Sequence, residues 1–338
     1  MSPAVSILLP VHNAATTLTR ALDSLRAQTL RDWELLAIDD GSTDSTPAIL
    51  AAAAATDPRI RILSIAKSGI VAALNTGLAV ASAPLIARMD ADDECRPTRL
   101  ARQVDYLATH PEIGLCATKV EFGGDPVAEH GYALHVEWTN SLLTPDEIAL
   151  NRFVESPIAH PSVVFRRELV AAHGGYREHD WPEDYELWLR WLDAGVRFAK
   201  LPEPLLLWND PPRRLSRTDP HYATDAFYAC KCAYLARWLQ REIDSARPIF
   251  LRGAGKPTRQ RFAALAAHGI RLAGYCDIAP SKIGQHISGL PVFAPEALPP
   301  AAECFILGAV GTRGAREFIR EQLRAQGRIE GRDFLMVA

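Results

Sequence analysis

Over its first hundred positions the chain alternates two patterns. Short apolar runs at 5–11 (VSILLPV), 33–38, 60–65 and 85–89 read as buried strands, while 15–28 and 70–80 carry apolar residues at helical spacing. Strands that alternate with helices predict a mostly parallel α/β sheet, whose ligands bind beyond the carboxyl ends of its strands. Three of these strands run directly into polar loops. The first reaches Pro10, Val11, His12 and Asn13, the second Asp39 and Asp40, and the fourth Asp90, Asp92 and Asp93. The turn at 41–44 is expected to cap the next helix through Ser42 or Thr43.

Further along, 113–208 mixes short apolar runs with Trp181, Trp188 and Trp191 and has no clean alternation, so it is assigned to the acceptor side of the same domain. Positions 223–243 read as a helix and 245–248 as a hinge. After the hinge, βα alternation restarts with strands at 249–251, 270–276 and 304–310 and helices at 259–268 and 316–325. Two domains are therefore predicted, 1–244 and 245–338, the second a small Rossmann-like α/β unit. Its Gly253-Ala254-Gly255 follows a strand, but Thr258 stands where a dinucleotide fingerprint needs a third glycine. The alternative class rests on this motif: an NAD- or nucleotide-binding oxidoreductase or regulator run by the C-terminal domain. No tyrosine-lysine pair at suitable spacing accompanies it.

Charge and cysteine usage narrow the picture. Lys and Arg number 37 against 40 Asp and Glu, without long runs, which removes the electrostatic case for a nucleic-acid partner. Six cysteines without a CxxC pair indicate neither a zinc site nor a disulfide framework, and fit a reducing cytoplasm. No stretch reaches ~18 uncharged apolar residues and no signal-peptide pattern opens the chain. A soluble protein is expected, with docking on a membrane surface left open.

The sharpest chemical signal is Asp90-Ala-Asp92-Asp93. Three carboxylates within four residues repel one another unless a cation lies among them, and Mg2+ or Mn2+ prefers such oxygen ligands. Taken alone, the motif reads first as a solvated acidic turn. It stands, however, in an ordered set: Pro10-Val-His-Asn13, Asp39-Asp-Gly-Ser-Thr-Asp44, Gly69 to Gly77 (GIVAALNTG) and Asp90 to Leu100 (DADDECRPTRL). Farther on come His160-Pro-Ser-Val-Val-Phe-Arg-Arg167, Gly174-Gly-Tyr-Arg177 and Glu183-Asp-Tyr-Glu-Leu-Trp188. Together, over about the first 220 residues, they resemble family 2 glycosyltransferases of the GT-A fold.

That resemblance implies inverting transfer of a sugar from a nucleotide-diphosphate donor, UDP-linked by default, to the hydroxyl of a glycan or lipid-linked acceptor. The expected setting is cell-envelope or exopolysaccharide synthesis, in the cytoplasm or at the inner face of the membrane. It also implies roles for single residues. Pro10 to Asn13 line the base, Asp40 meets its edge, Asp39 shapes the same loop, and Gly69 and Asn75 belong to the donor site. Asp92 is the main metal ligand, Asp90 touches ribose or metal, and Asp93 orients its neighbours. Asp184 is the general base that takes the acceptor proton, with Glu183 orienting acceptor or loop. Carboxylates at these places also cap helices without further duty. His160 is expected to touch the acceptor or help the metal, and Trp181 to stack on a sugar face. After the base, the tyrosine-arginine-x-histidine form of the family is missing. The segment Trp208 to Arg217 reads WNDPPRRLSR, in which Arg214, Ser216 and Arg217 are the candidates for the diphosphate. A third class, nucleotidyl transfer, lacks its glycine-rich basic loop after the first strand.

Overall fold

A computed structural model describes residues 3–210, 214, 217, 219–312 and 314–338. They group into two compact units. The first comprises Met1–Ile148, Ile158–His179 and Glu186–Asp219, the second Ala149–Pro157, Asp180–Tyr185 and Pro220–Ala338.

The first unit is built on an eight-stranded sheet. Its strands are β1 (Val5–Val11), β2 (Trp33–Asp40), β3 (Ile60–Ile65), β4 (Leu85–Arg88), β5 (Glu94–Cys95), β6 (Ile113–Phe122), β7 (Val164–Arg166) and β8 (Arg197–Trp208), in the order β3-β2-β1-β4-β7-β6-β8-β5. β3, β2, β1 and β4 run parallel, as the alternation predicts, while β7 and β5 are antiparallel to their neighbours. The pleat sends successive side chains to opposite faces. Val5, Ile7, Leu9 and Val11 pack with Leu18, Leu22, Leu50 and Leu100 on one side; Leu8, Leu36, Ile38 and Ile86 pack with Leu74, Trp188 and Trp191 on the other. Helices thus cover both faces. One polar anchor sits inside: Glu34 accepts hydrogen bonds from Ser6 (2.6 Å), from the Ser82 hydroxyl (2.7 Å) and backbone N–H (2.9 Å), and from Arg61 (3.0 Å).

The stretch without clean alternation contains the long parallel pair β6 and β8. Register shifts at Ile113/Leu115, Thr118/Lys119 and Lys119/Val120 interrupt the period of two, and the buried Lys200 donates to the Thr139 carbonyl from within β8. Those irregularities hide the strands from a periodicity test.

The second unit carries β9 (Ile249–Arg252), β10 (Leu272–Cys276), β11 (His286–Ile287), β12 (Leu290–Phe293), β13 (Phe305–Gly308) and β14 (Phe334–Met336), ordered β11-β12-β10-β9-β13-β14. All pairings except the β11–β12 hairpin are parallel. The helix Thr224–Glu242, placed by sequence at the end of the first domain, groups with this unit. The helix expected at 259–268 is two short pieces, Lys256–Phe262 and Ala264–Ala267. The loop after β9 is tied down from within. Asp277 accepts from the N–H groups of Ala254 and Ala279 and from Lys282, and the Thr258 hydroxyl donates to the Ala309 carbonyl at 3.2 Å. All six cysteines are buried and free, and among the described residues no helix is long and apolar enough to cross a membrane.

Candidate active site

In the first sheet the strand order reverses between β1 and β4, which places a crevice outside their carboxyl ends. The loops there are sewn together before any ligand arrives. Asn13 takes a left-handed backbone (φ 50°), donates its N–H to Ser42 Oγ at 2.9 Å and accepts the Thr43 N–H at 2.8 Å. Ala14 N–H reaches Thr46 Oγ1 and Ala15 N–H reaches Asp44 Oδ2. His12 Nδ1 donates to the Asp40 carbonyl at 2.8 Å, which leaves Nε2 to accept from Asn13 Nδ2 at 3.2 Å. Ser42 and Thr43 are therefore not helix caps; the helix Thr46–Thr56 begins after Ser45 without a side-chain cap, because both residues serve the neighbouring loop.

Asp39 and Asp40, adjacent on a strand, point to opposite faces. Asp39 accepts the Ser42 N–H at 3.1 Å. Asp40 is 3% exposed, and its two oxygens accept from Ser68 N–H (2.6 Å), Gly69 N–H (3.0 Å) and Lys67 Nζ (3.0 Å). Burial pushes its pKa up, yet these donors outweigh it and hold the carboxyl below the usual carboxylate range. Gly41 (φ +66°) lets that turn close, since a Cβ there would lie 2.8 Å from the Lys67 nitrogen. In the loop where a base-edge contact is expected, the Asp40 carboxylate locks the turn at 67–69 against β2. Asn75, expected in the donor site, binds the backbone of Tyr176 through its side-chain amide.

At the end of β4, oxygens of Asp90, Asp92 and Asp93 lie within 4.8 Å of one another. Burial, and next the charge of Asp90, push Asp92 up to about 6 against the pull of Arg214 and Arg88. Asp93, 1% exposed, is raised well above the carboxylate range by burial and by both neighbours. Its Oδ1 accepts the Asn209 N–H at 2.8 Å, whereas its buried Oδ2 has no hydrogen-bond partner among the described residues. An orphaned buried oxygen in a set of mutually repelling carboxylates fits a hard divalent cation such as Mg2+ or Mn2+. Asn209 Nδ2 also holds the Asp92 carbonyl at 2.8 Å. A cavity of about 180 Å³ opens beside the cluster, lined by Thr17, Arg20, Asp92, Gly123, Asn209 and Asp210.

Of the basic residues expected at the diphosphate, Arg214 lies over the Trp208 ring at 4.2 Å and 3.9 Å from Asp210. Arg217 pairs with Asp210 and with Glu129 (2.7 Å). Ser216 lies outside the described residues. His160 is buried, shares a 2.8 Å hydrogen bond with the Tyr176 hydroxyl and stands edge-on to Trp188 at 5.7 Å. Burial, then the Arg88 charge, lower its pKa well below the ordinary value. His160, expected at the acceptor or the metal, is thus a packed, hydrogen-bonded residue of the core.

In the second unit, Glu183, expected to orient the acceptor or a loop, is buried and accepts from the Tyr222 hydroxyl. Asp184 is half-buried in the first turn of helix Glu183–Asp193, with Oδ1 accepting the Tyr185 N–H at 2.6 Å. Trp181 is partly exposed just before that helix. Sequence reasoning missed Lys67, Arg88, Asn209 and Asp210. The last two sat in plain view, in the segment where the expected motif is missing.

Residues 6–174 match the model of the glycosyl transferase family 2. The chain is 34% identical over 206 residues to the amylovoran biosynthesis glycosyltransferase AmsE of Erwinia amylovora, across 60% of this chain and 74% of that protein. It is 29% identical over 238 residues to the putative glycosyltransferase EpsE of Bacillus subtilis, across 68% and 82%. Among solved structures, S. aureus TarS 1–349 in complex with UDP-GlcNAc matches with a TM-score of 0.58 at 17% identity, over 78% of this chain and 72% of that one. The mannosyltransferase PcManGT from Pyrobaculum calidifontis, in complex with GDP-Man and Mn2+, matches at 0.50 with 22% identity, over 80% and 71%. At such identities the structural matches speak for the fold, which is GT-A.

Proposed function

The chain belongs to glycosyl transferase family 2, and from that premise we propose that it transfers a sugar, with inversion, from a UDP-sugar to the hydroxyl of a glycan or lipid-linked acceptor during cell-envelope or exopolysaccharide synthesis. The carrying observation is the Asp90, Asp92 and Asp93 cluster at the reversal of strand order, with the buried, unpartnered Oδ2 of Asp93. A divalent cation, manganese for preference, would be held by Asp92 and Asp93 and would offset charge on the leaving diphosphate. Around it the loop pair at 12–15 and 42–46 provides a rigid platform for the nucleoside, since its backbone donors are already satisfied. Arg214 is the residue we assign to the diphosphate, because its charge acts on both Asp92 and Asp93. Asp184 takes the acceptor proton as the hydroxyl attacks, a role carried over from the family motif at Glu183-Asp184-Tyr185. The UDP preference draws on the TarS complex, the manganese on the PcManGT complex, and the pathway on the amylovoran relative.

In functional terms we assign the transfer to residues 1–244 and a scaffolding or docking role to 245–338, acting in the cytoplasm or at the inner face of the membrane. The family match lies wholly in the first part. The test is thermal stabilisation by UDP-sugars, GDP-sugars and NADH, each with and without Mn2+, because a ligand of the native state raises its Tm. We expect a Mn2+-dependent shift with one UDP-sugar, lost in Asp92→Ala. A shift with NADH that ignores Mn2+ and Asp92 overturns the proposal.

A further inference from the structure

Arg88 is the last residue of β4 and, by the alternation of the strand, shares its face with Ile86 in the layer of Tyr176, Trp188 and Trp191. It is 2% exposed. A guanidinium stays charged throughout the range in which proteins fold, and burying one is costly unless a carboxylate meets it. Here that carboxylate is Asp90, whose Oδ1 pairs with Arg88 Nη1. The strand end is itself held, because Arg99 Nη2 donates to the Arg88 carbonyl at 2.8 Å. The fixed guanidinium thus offsets one of the three clustered carboxylates through a direct pair, while Arg214 acts on Asp92 and Asp93.

We propose that Arg88 is a positioning residue which neutralises and orients Asp90, leaving Asp92 and Asp93 to meet the divalent cation. The inference rests on reading the cluster as the metal site. Without Arg88, three bare carboxylates would hold the cation more tightly and repel an incoming diphosphate more strongly.

The experiment is direct Mn2+ titration, by calorimetry or electron paramagnetic resonance, of the nucleotide-free full chain. Arg88→Met is expected to bind Mn2+ at least fivefold more tightly than the parent chain and to raise the KM for the donor, while Arg88→Lys stays within twofold on both. A role confined to packing predicts the reverse sign, since a loosened site binds metal more weakly. Unchanged or weaker Mn2+ binding in folded Arg88→Met overturns the proposal. Should that variant fail to fold, the pair Asp90→Asn and Arg88→Met/Asp90→Asn decides. The single variant is expected to lose Mn2+ affinity several-fold and the double to regain it, whereas a double no better than the single overturns the idea. Asp92→Ala separates the two levels: if it leaves Mn2+ binding intact, the metal site itself is misassigned, whatever Arg88 does.

Discussion

Asn75 and Tyr176, 101 residues apart, exchange two hydrogen bonds: Asn75 Nδ2 donates to the Tyr176 carbonyl at 2.9 Å, and the Tyr176 N–H donates to Asn75 Oδ1 at 3.1 Å. One side-chain amide thereby stands in for a strand neighbour and ties the loop 174–177 to helix Ile70–Val80. The Tyr176 hydroxyl continues the link to His160. Asn75→Ala breaks both bonds to a buried backbone and is expected to cost about 2–3 kcal/mol. Urea unfolding should show a lower midpoint at unchanged slope. Donor binding by the folded fraction should persist if the amide serves only this tie; its loss, with stability intact, would assign Asn75 to the donor site.

Gly41→Ala tests the turn that Asp40 organises. Its positive φ and the 2.8 Å approach to the Lys67 nitrogen both oppose a methyl group, and the neighbour is backbone that cannot swing aside. A loss of about 1–3 kcal/mol is expected from the strained conformation, with weakened donor binding as 67–69 moves off Asp40. A variant as stable as the parent, with unchanged donor affinity, would show that the turn plays no part in the site.

Glu34 predicts an acid-sensitive stability. Burial alone would raise its pKa, but Ser6, Ser82 and Arg61 outweigh burial and lower it from 4.5 to about 2. The folded value lies below the unfolded one, so the contribution is complete above about pH 4.5 and disappears as the pH falls through about 2. Glu34→Gln is expected to cost about 2 kcal/mol at pH 7, the scale of hydrogen bonds to a charged group. Across pH 5 to 2 its Tm should fall less steeply than that of the parent. Parallel curves would exclude Glu34 as the responsible group.

Asp184→Asn addresses the proposed base. The amide keeps the size of the side chain and can still accept the Tyr185 N–H, but cannot take a proton. The expected outcome is a fall in kcat of about 10²–10⁴ with donor affinity unchanged. Glu183→Gln should instead lower stability, because it disturbs the buried contact with Tyr222, and leave kcat within tenfold. Inverted results would exchange the two assignments.

Much of the molecule is legible along the chain. Apolar runs and helical spacing place β1 to β4 and their helices because each is a local pattern with its own period. Asp90, Asp92 and Asp93 declare themselves because their repulsion is local too. What eluded the reading is nonlocal. Asp40 meets Ser68 and Gly69, Asn75 meets Tyr176, and His160 is buried with the Tyr176 hydroxyl. β6 and β8 escaped because bulges broke their period. The sequence by itself determined the α/β order, the family and the presence of a clustered negative charge. Only the tertiary structure decided which polar side chains hold loops together and which carboxylates gather at the end of β4. A carboxylate or amide looks the same in either role until the partners brought to it by distant segments are known.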